Sequence, residues 1–265
     1  MSSTAEQAAA LLFAARRDTR PLADLPAGLR PATIEEAYAV QDAGVRRFGQ
    51  AVHGWKVGPA RNGDEPRCAP LTARPLASPG SLPPHAGPAP LELELELAVT
   101  LADDLPPRGR AYGAEDVATA TGSLHLAFEL IGSRFEDRRR VSPLTAVADQ
   151  QSNAGVVVGP GLTAWRELDL SAVELALMFD GERVAAKGGG ATTAAVLDLV
   201  TWLANHAAAR GAGLRAGQVV ITGARLGPCP VPAAGLVEGT GAPLEPVRLR
   251  VAGPDETRSS AGGPT

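Results

Sequence analysis

Cysteine is scarce in this chain: the 265 residues include only Cys68 and Cys229. The two form no Cys-x-x-Cys pair and no disulfide framework, so we expect a reducing compartment and no structural zinc site. The sequence also lacks the run of about 18 apolar residues that a membrane-spanning helix needs, and no basic region precedes the apolar N-terminal stretch. These absences predict a soluble, cytoplasmic protein with no membrane segment.

A dominant charge of one sign is missing as well. Lys and Arg together number 25 against 29 Asp and Glu, which gives a net charge of −4 without any long block of like charge. Nucleic acid is therefore not an expected partner. Nucleotide cofactors are disfavoured, because there is no P-loop and GGGATT at 188–193 lacks the second half of a dinucleotide fingerprint. With 45% hydrophobic residues, the chain nevertheless has enough apolar material for a folded core.

The order of the periodic segments predicts an α+β fold. Helical spacing or capping signals appear at 4–18, at 33–49, at 114–126 and at 193–210, and apolar alternation predicts a strand over 90–101. The turn at Asp180 and Gly181 predicts a β-hairpin, and GWKVG, GQVVITG and VRLRVAG predict further strands. Because strands outnumber crossover helices, we expect a mixed or antiparallel sheet.

Three regions follow from this pattern. Residues 1–85 are predicted to form a helical part with a proline-rich loop, 86–255 a β-rich catalytic core, and 256–265 a disordered tail. The segment 66–90 carries eight prolines and almost no periodic pattern, so we expect a long ordered loop or a mobile lid there.

A row of glutamates is the first chemical signal. Glu92, Glu94 and Glu96 alternate with leucines on one predicted strand, so their carboxylates share a face with a spacing of about 6.6 Å. This is either a solvated face or part of a site for a hard divalent cation such as Mg²⁺ or Mn²⁺, and the strand alone does not decide. Glu129 lies in the apolar run LHLAFELIG, where a buried carboxylate needs a cation unless it reaches solvent or Arg134.

Two other features remain open to a structural or a functional interpretation. Lys56 is one of only two lysines, in a short strand between glycines. It is either a strand-end lysine with its head in water, or a partly buried ammonium suited to proton transfer or to holding an oxyanion. Asp149 and Ser152, in the polar segment ADQQSNAG, suit turn chemistry and substrate contacts equally well.

Several segments, taken in order, resemble the 2-keto-4-pentenoate hydratase and 4-oxalocrotonate decarboxylase family of the fumarylacetoacetate hydrolase superfamily. The resemblance spans roughly residues 34–225 and rests on the following segments: GWKVG, PLTAR, ELELAVTLADDLP, FELIGSR, ADQQSNAG, the Trp202-Leu203-Ala204-Asn205 helix and GLRAGQVVITG. It implies a β-rich mixed-sheet roll or sandwich with an N-terminal helical part, and assembly as a homo-oligomer.

The resemblance also implies a site. Glu94, Glu96 and Glu129 fall on the ligands of Mg²⁺ or Mn²⁺, Glu92 is left as a bystander, and Lys56 falls on the family's catalytic lysine. The implied substrate-binding positions are these: Leu71, Arg134, Asp149, Ser152, Thr222 and Gly223. The implied substrate is a small 2-oxo or 2-hydroxydienoate acid, and the implied reaction is addition of water to give a 4-hydroxy-2-oxo acid.

Three departures from the family pattern leave the reaction open. Gly132 stands where Asp is usual, Ala195-Val196 replaces a Gly-x-Pro or His-Pro stretch, and Ala224 replaces Ser. A decarboxylase is the second expectation, because loss of CO₂ leaves an enolate on the same oxygen. A metal-enolate isomerase or cyclase is the third, and a non-catalytic partner subunit is the last.

Overall fold

The computed structural model describes residues 3–60, 64–82, 91–188, 190–232 and 234–252. The helices are α1 (Thr4–Arg17), α2 (Ile34–Arg47), α3 (Ala114–Ala120), α4 (Pro143–Ala148) and α5 (Thr193–Ala209). The first strands are β1 (Gly54–Gly58), β2 (Arg67–Leu71), β3 (Leu76–Ala77), β4 (Gly80–Leu82), β5 (Glu92–Leu101) and β6 (Thr121–Ile131). The others are β7 (Asn153–Val158), β8 (Leu175–Phe179), β9 (Glu182–Lys187), β10 (Val219–Pro230), β11 (Gly235–Gly241) and β12 (Leu244–Val251).

Side-chain caps begin the two N-terminal helices where the sequence predicts them. Ser3 Oγ accepts the Glu6 N–H at 3.2 Å, and the Glu6 carboxylate accepts the Ser3 N–H at 2.9 Å, which completes a capping box. Thr33 caps α2 through the Glu36 N–H at 3.2 Å, although the Glu36 carboxylate turns to the Ala32 N–H instead. The helices at 4–18 and 33–49 are therefore confirmed.

The described strands form two mixed sheets, which confirms the α+β fold. The larger has the order β2-β1-β10-β5-β6-β7-β3, and the smaller has the order β4-β12-β11-β8-β9. Parallel pairing joins β1 to β10, β3 to β7 and β4 to β12, and the other pairs are antiparallel. The hairpin of β8 and β9 turns at Asp180 (φ 46°) and Gly181 (φ 84°), the two positive φ values expected of a type I′ turn.

The two faces of β5 have different surroundings. Leu93, Leu95 and Leu97 lie in the main core between the sheets and the helices. Close approach of the sheets depends on Gly239 in β11, since a Cβ there would lie 2.5 Å from Leu95 Cδ1. The glutamates of β5 project from the opposite face, so one strand supplies both the core and the candidate site.

Two secondary-structure predictions were wrong. The helix predicted over 114–126 ends at Ala120, because the following residues alternate between apolar and small or polar side chains and form β6. The proline-rich segment is not one loop, since it contains β2, β3 and β4. These strands are short and pair with strands distant in sequence, and Pro70 is tolerated because β2 is an edge strand. The rest of that segment, 83–90, lies outside the described residues.

The predicted boundary near residue 85 remains a prediction. Strands β1 and β2, which precede it, join the larger sheet through β10, and β4 joins the smaller sheet through β12. The predicted tail at 256–265 lies outside the described residues. None of the helices in the described ranges is both long and apolar enough to cross a membrane.

Candidate metal centre

Three glutamates converge on one face of the larger sheet. Glu94 on β5 lies directly opposite Glu129 on β6, and Glu96 follows two residues along β5. One carboxylate oxygen from each lies within 4.8 Å of the other two. Within the described ranges this is the one cluster of three or more His, Cys, Asp or Glu side chains with such spacing. The alternation of β5 and its register with β6 account for the convergence.

The surroundings of the cluster are apolar. Glu96 and Glu129 are fully buried, on the face that also carries a small apolar group separate from the main core. That group consists of Leu71, Ala98, Ala127, Val156, Val219 and Ile221. Burial, together with the nearby charge of Glu129, raises the pKa of Glu96 well above its usual value, while Lys56 acts in the opposite direction. Without added positive charge, the cluster therefore resists full ionisation.

Lys56 lies against Glu129. Its Nζ is 2.6 and 2.8 Å from the two oxygens of Glu129, and it also donates to the Gln151 carbonyl at 3.2 Å. Strand β1 brings it there because β1 pairs with β10, which in turn pairs with β5. The lysine side chain is only 11% exposed, so it is a partly buried ammonium and not a strand-end lysine in water.

The segment that supplies the Gln151 carbonyl has an unusual backbone. Gln150, Gln151 and Ser152 have φ values of 51°, 51° and 62°, three successive left-handed residues without a glycine. Each costs about 1–3 kcal/mol unless its surroundings hold it. Here Ser152 O accepts the Gly132 N–H at 2.9 Å, and Ser152 N–H donates to Asp149 O at 2.9 Å. These hydrogen bonds hold the segment so that the Gln151 carbonyl faces Lys56 Nζ.

A buried ion pair supports that segment. Arg134 and Asp149 are both buried and hydrogen bond through Arg134 Nε, and Ser133 Oγ donates to the same carboxylate at 2.9 Å. Arg134 also donates to the Asn153 carbonyl at 2.6 Å. Among the described residues, the hydrogen bonds to the Asp149 carboxylate come from Ser133 and Arg134. The substrate role expected for these residues remains a prediction, and their observed contacts are structural.

Sequence reasoning missed two contributors to the site. The Asn153 amide donates to Glu129 Oε1 at 2.8 Å, and the Gln151 carbonyl accepts from Lys56. The polar segment ADQQSNAG indicated a role for this region. It did not identify Asn153, because only the register of β6 with β7 places that amide beside Glu129.

Two of the remaining predicted substrate residues, Thr222 and Gly223, lie beside Glu96 and its neighbour Leu97. Gly223 N–H donates to Glu96 Oε2 at 2.7 Å, and its φ of 91° is one that glycine adopts readily. Thr222 Oγ1 donates to the Leu97 carbonyl at 2.8 Å, and Leu71 belongs to the apolar group on the same face. Their contacts with substrate remain predictions.

The residues present fit a hard divalent cation. Glu96 Oε1 is buried and has no hydrogen-bond partner among the described residues, whereas its Oε2 is satisfied by Gly223. An orphaned buried carboxylate oxygen is costly unless a cation meets it. Fully ionised, the three carboxylates carry more negative charge than the neighbouring Lys56 and Arg225 offset, and this excess favours a bound cation.

One departure from the family pattern has a steric explanation. A Cβ on Gly132 would lie 3.0 Å from Ala154 Cβ, so an aspartate there requires the neighbouring strand to shift. Ala224 lies directly opposite Glu96 and is exposed.

Comparison with known proteins places the chain in a family. Residues 64–250 match the model of the fumarylacetoacetate (FAA) hydrolase C-terminal family. The chain is 32% identical to 2-keto-4-pentenoate hydratase 2 of Dechloromonas aromatica (strain RCB), over 84% of this chain and 87% of that protein. It is also 32% identical to 2-oxo-hept-4-ene-1,7-dioate hydratase of Escherichia coli, over 75% and 79% of the two chains.

A solved structure agrees with the sequence comparison. The 4-oxalocrotonate decarboxylase from Pseudomonas putida G7, complexed with magnesium and adipate, matches with a TM-score of 0.78 and 25% identity. The match covers 95% of this chain and 99% of that one. The chain therefore belongs to the fumarylacetoacetate hydrolase family, within its group of 2-keto-4-pentenoate hydratases and 4-oxalocrotonate decarboxylases.

Proposed function

We propose that this protein is a metal-dependent lyase that adds water to a 2-hydroxy-2,4-dienoate and forms a 4-hydroxy-2-oxo acid. The observation that carries the proposal is the meeting of Glu94, Glu96 and Glu129 beside Lys56. Hydratase relatives at about one-third identity over most of the chain support the reaction type.

Glu94, Glu96 and Glu129 are the residues that would hold Mg²⁺ or Mn²⁺. When bound, the ion supplies Lewis acidity for the C2 oxygen and neutralises the substrate carboxylate. Glu96 contributes the oxygen that lacks a partner, and the Gly223 N–H holds the other oxygen of that carboxylate in place. The Asn153 amide holds Oε1 of Glu129 in a similar way.

Lys56 is the proton-carrying group at the centre. In the first step the dienol loses the C2 hydroxyl proton and gains a proton at C5, which gives the 2-oxo-3-enoate. In the second step water adds across C3 and C4, with its oxygen on C4 and a proton on C3. Lys56 Nζ, held by Glu129 and the Gln151 carbonyl, is oriented to give and receive these protons.

The test is direct turnover of 2-hydroxypenta-2,4-dienoate by purified protein with Mg²⁺. We expect its ultraviolet band to disappear without release of CO₂, and we expect Glu94→Ala to abolish the change. An unchanged band at saturating Mg²⁺, both with this monoacid and with the diacid 2-hydroxyhepta-2,4-diene-1,7-dioate, contradicts a hydratase. Absence of Mg²⁺ binding by calorimetry, with no effect of Glu94→Ala, is the result expected of a non-catalytic partner subunit.

Decarboxylation is the second candidate, supported by the similarity to the decarboxylase from Pseudomonas putida G7. Loss of CO₂ from a 2-oxo-3-enedioate leaves its electron pair on the same C2 oxygen, so the same residues serve. Release of CO₂ from the six-carbon diacid, with the five-carbon dienoate unchanged, would favour this candidate over hydration.

A further inference from the structure

Arg225 occupies an irregular position beside the carboxylate cluster. The register of β10 against β5 pairs Ala224 with Glu96 and Leu226 with Leu95, so Arg225 is the extra residue of a β-bulge. A bulge turns a side chain away from the direction that regular alternation would give it. The bulge lies next to the peptide whose N–H holds Glu96.

The guanidinium folds back over that peptide. Arg225 Nη1 donates to the Gly223 carbonyl at 2.7 Å and to the Thr222 carbonyl at 3.3 Å, and Nη2 lies 3.3 Å from Thr222 Oγ1. These contacts fix the Nη1 side of the group. Their partners are two carbonyls and a hydroxyl. The nearby charge of Glu96 also favours the charged guanidinium, although no hydrogen bond joins the two among the described residues.

The opposite edge of the guanidinium is unsatisfied. Arg225 Nε is buried and has no hydrogen-bond partner in the described ranges. Nε–H and one hydrogen of Nη2 point in the same direction, and together they form the edge that binds a carboxylate with two parallel hydrogen bonds. A half-buried cation with this edge unused is costly unless a ligand completes it.

We infer that Arg225 binds a second, distal carboxylate of the substrate, so that the preferred substrates are 2-oxo or 2-hydroxy dioates and not monoacids. This inference rests on the proposed function, which places the C1 carboxylate and C2 oxygen at the glutamates. The guanidinium lies on the Thr222 and Gly223 carbonyls, next to the peptide that holds Glu96. Because the glutamates already serve the C1 carboxylate and C2 oxygen, the carboxylate left for Arg225 is the distal one. The exposed methyl group of Ala224, opposite Glu96, leaves the approach open.

A matched pair of saturated ligands tests the inference without turnover. 2-Oxoadipate and 2-oxohexanoate differ only in the distal carboxylate, and their binding to the Mg²⁺-loaded protein is measured by calorimetry. We expect the wild type to bind 2-oxoadipate about tenfold to a hundredfold more tightly, the effect of one charged hydrogen-bonded contact. Arg225→Gln removes the charge but keeps an amide for the carbonyls, and it is expected to abolish the preference.

Two further variants sharpen the result. Arg225→Lys keeps the charge without the two-pronged edge, and it is expected to retain only part of the preference. Arg46→Ala, which removes an exposed arginine in the last turn of α2, leaves the preference unchanged. Equal binding of the two ligands by the wild type, or a preference that survives Arg225→Gln, overturns the inference.

The proposed function can fail separately. If 2-oxoadipate is preferred but no 2-hydroxydienoate, with one carboxylate or two, and no enedioate is consumed, the reaction is wrong and the role of Arg225 stands. If the dienoate is consumed and the ligand pair binds equally, the reaction stands and the role of Arg225 is wrong.

Discussion

Lys56 Nζ lies 2.6 Å from Glu129 Oε1, and Glu129 is completely buried. The sequence shows each residue as a separate oddity, a rare lysine and a carboxylate in an apolar run. In the fold the two residues, which are 73 positions apart in the sequence, form an ion pair. The pair is therefore both a structural contact and part of the proposed reaction centre.

Lys56→Met is expected to destabilise the metal-free protein. The variant leaves Glu129 buried without its ammonium, and removing one partner of a buried pair costs about 3–5 kcal/mol. Urea unfolding measures the loss, and added Mg²⁺ should recover part of it. Lys187 is the only other lysine and is exposed in β9. An equal loss in Lys187→Met would contradict the assignment.

Glu94→Gln is expected to weaken Mg²⁺ binding by about tenfold or more, because even indirect supports of a metal site have effects of that size. Calorimetry on the purified variant measures the dissociation constant. Glu92→Gln is the matched control, since Glu92 lies on the same face of β5 but binds Arg138 at 2.8 Å. Equal losses in the two variants would show that Mg²⁺ binding depends on the total charge of this strand face and not on coordination by Glu94.

Asp149→Ala is expected to lower the free energy of unfolding by about 3–5 kcal/mol, because it leaves the buried Arg134 guanidinium without its carboxylate. Urea unfolding followed by circular dichroism gives the value. Asp18, paired with Arg17 at the exposed end of α1, is the control, and Asp18→Ala should cause no measurable change. Comparable losses in the two variants would show that the buried Arg134 pair contributes no more to stability than an exposed pair.

The lowered pKa of His206 makes the free energy of unfolding depend on pH. Burial and the neighbouring Arg210 lower the pKa of His206 to about 4, although Asp42 acts in the opposite direction. The unfolded histidine takes up its proton near pH 6.5, so stability is complete above that value and falls as the pH decreases towards 4. Unfolding free energies at pH 7 and pH 5 should therefore differ less in His206→Gln than in the wild type. The effect should stay below about 2 kcal/mol, because solvent screens this partly exposed group. A wild type and variant with the same pH dependence would contradict the shift.

The ring contacts of His206 show where sequence reasoning falls short. A histidine in an Ala-rich helix indicates a surface position, and His206 is partly exposed. Its ring also stacks on Trp202 at 4.6 Å and contacts Tyr38 at 4.8 Å. The second contact comes from α2, more than 160 residues earlier in the chain. Local spacing reports the residues on one helix and not those that pack against it.

For the fold and the site as well, local patterns in the sequence predict some features and miss those set by contacts between distant elements. The alternation of β5 predicts which carboxylates share a face, because the period of a strand is a local property. The apolar run around Glu129 indicates that its carboxylate needs a partner, and the family resemblance implies that the partner is a metal ion. Asn153, the Gln151 carbonyl and Arg225 could not be identified in this way, since strand register, left-handed backbone and a bulge determine their positions. The boundary of α3 was wrong for a local reason: the alternation that predicts β6 follows the helix directly, and Gly122 already lies in the strand.

The strict alternation of β5 has a consequence for how this chain can change over time. Inserting or deleting one residue within β5 would exchange the roles of Leu93, Leu95 and Leu97 with those of their glutamate neighbours, and would place carboxylates in the core. Strand β10, next to it, already accommodates an extra residue at Arg225. An extra residue in β5 would therefore disrupt the core, whereas the bulge of β10 holds one without displacing the glutamates of its neighbour.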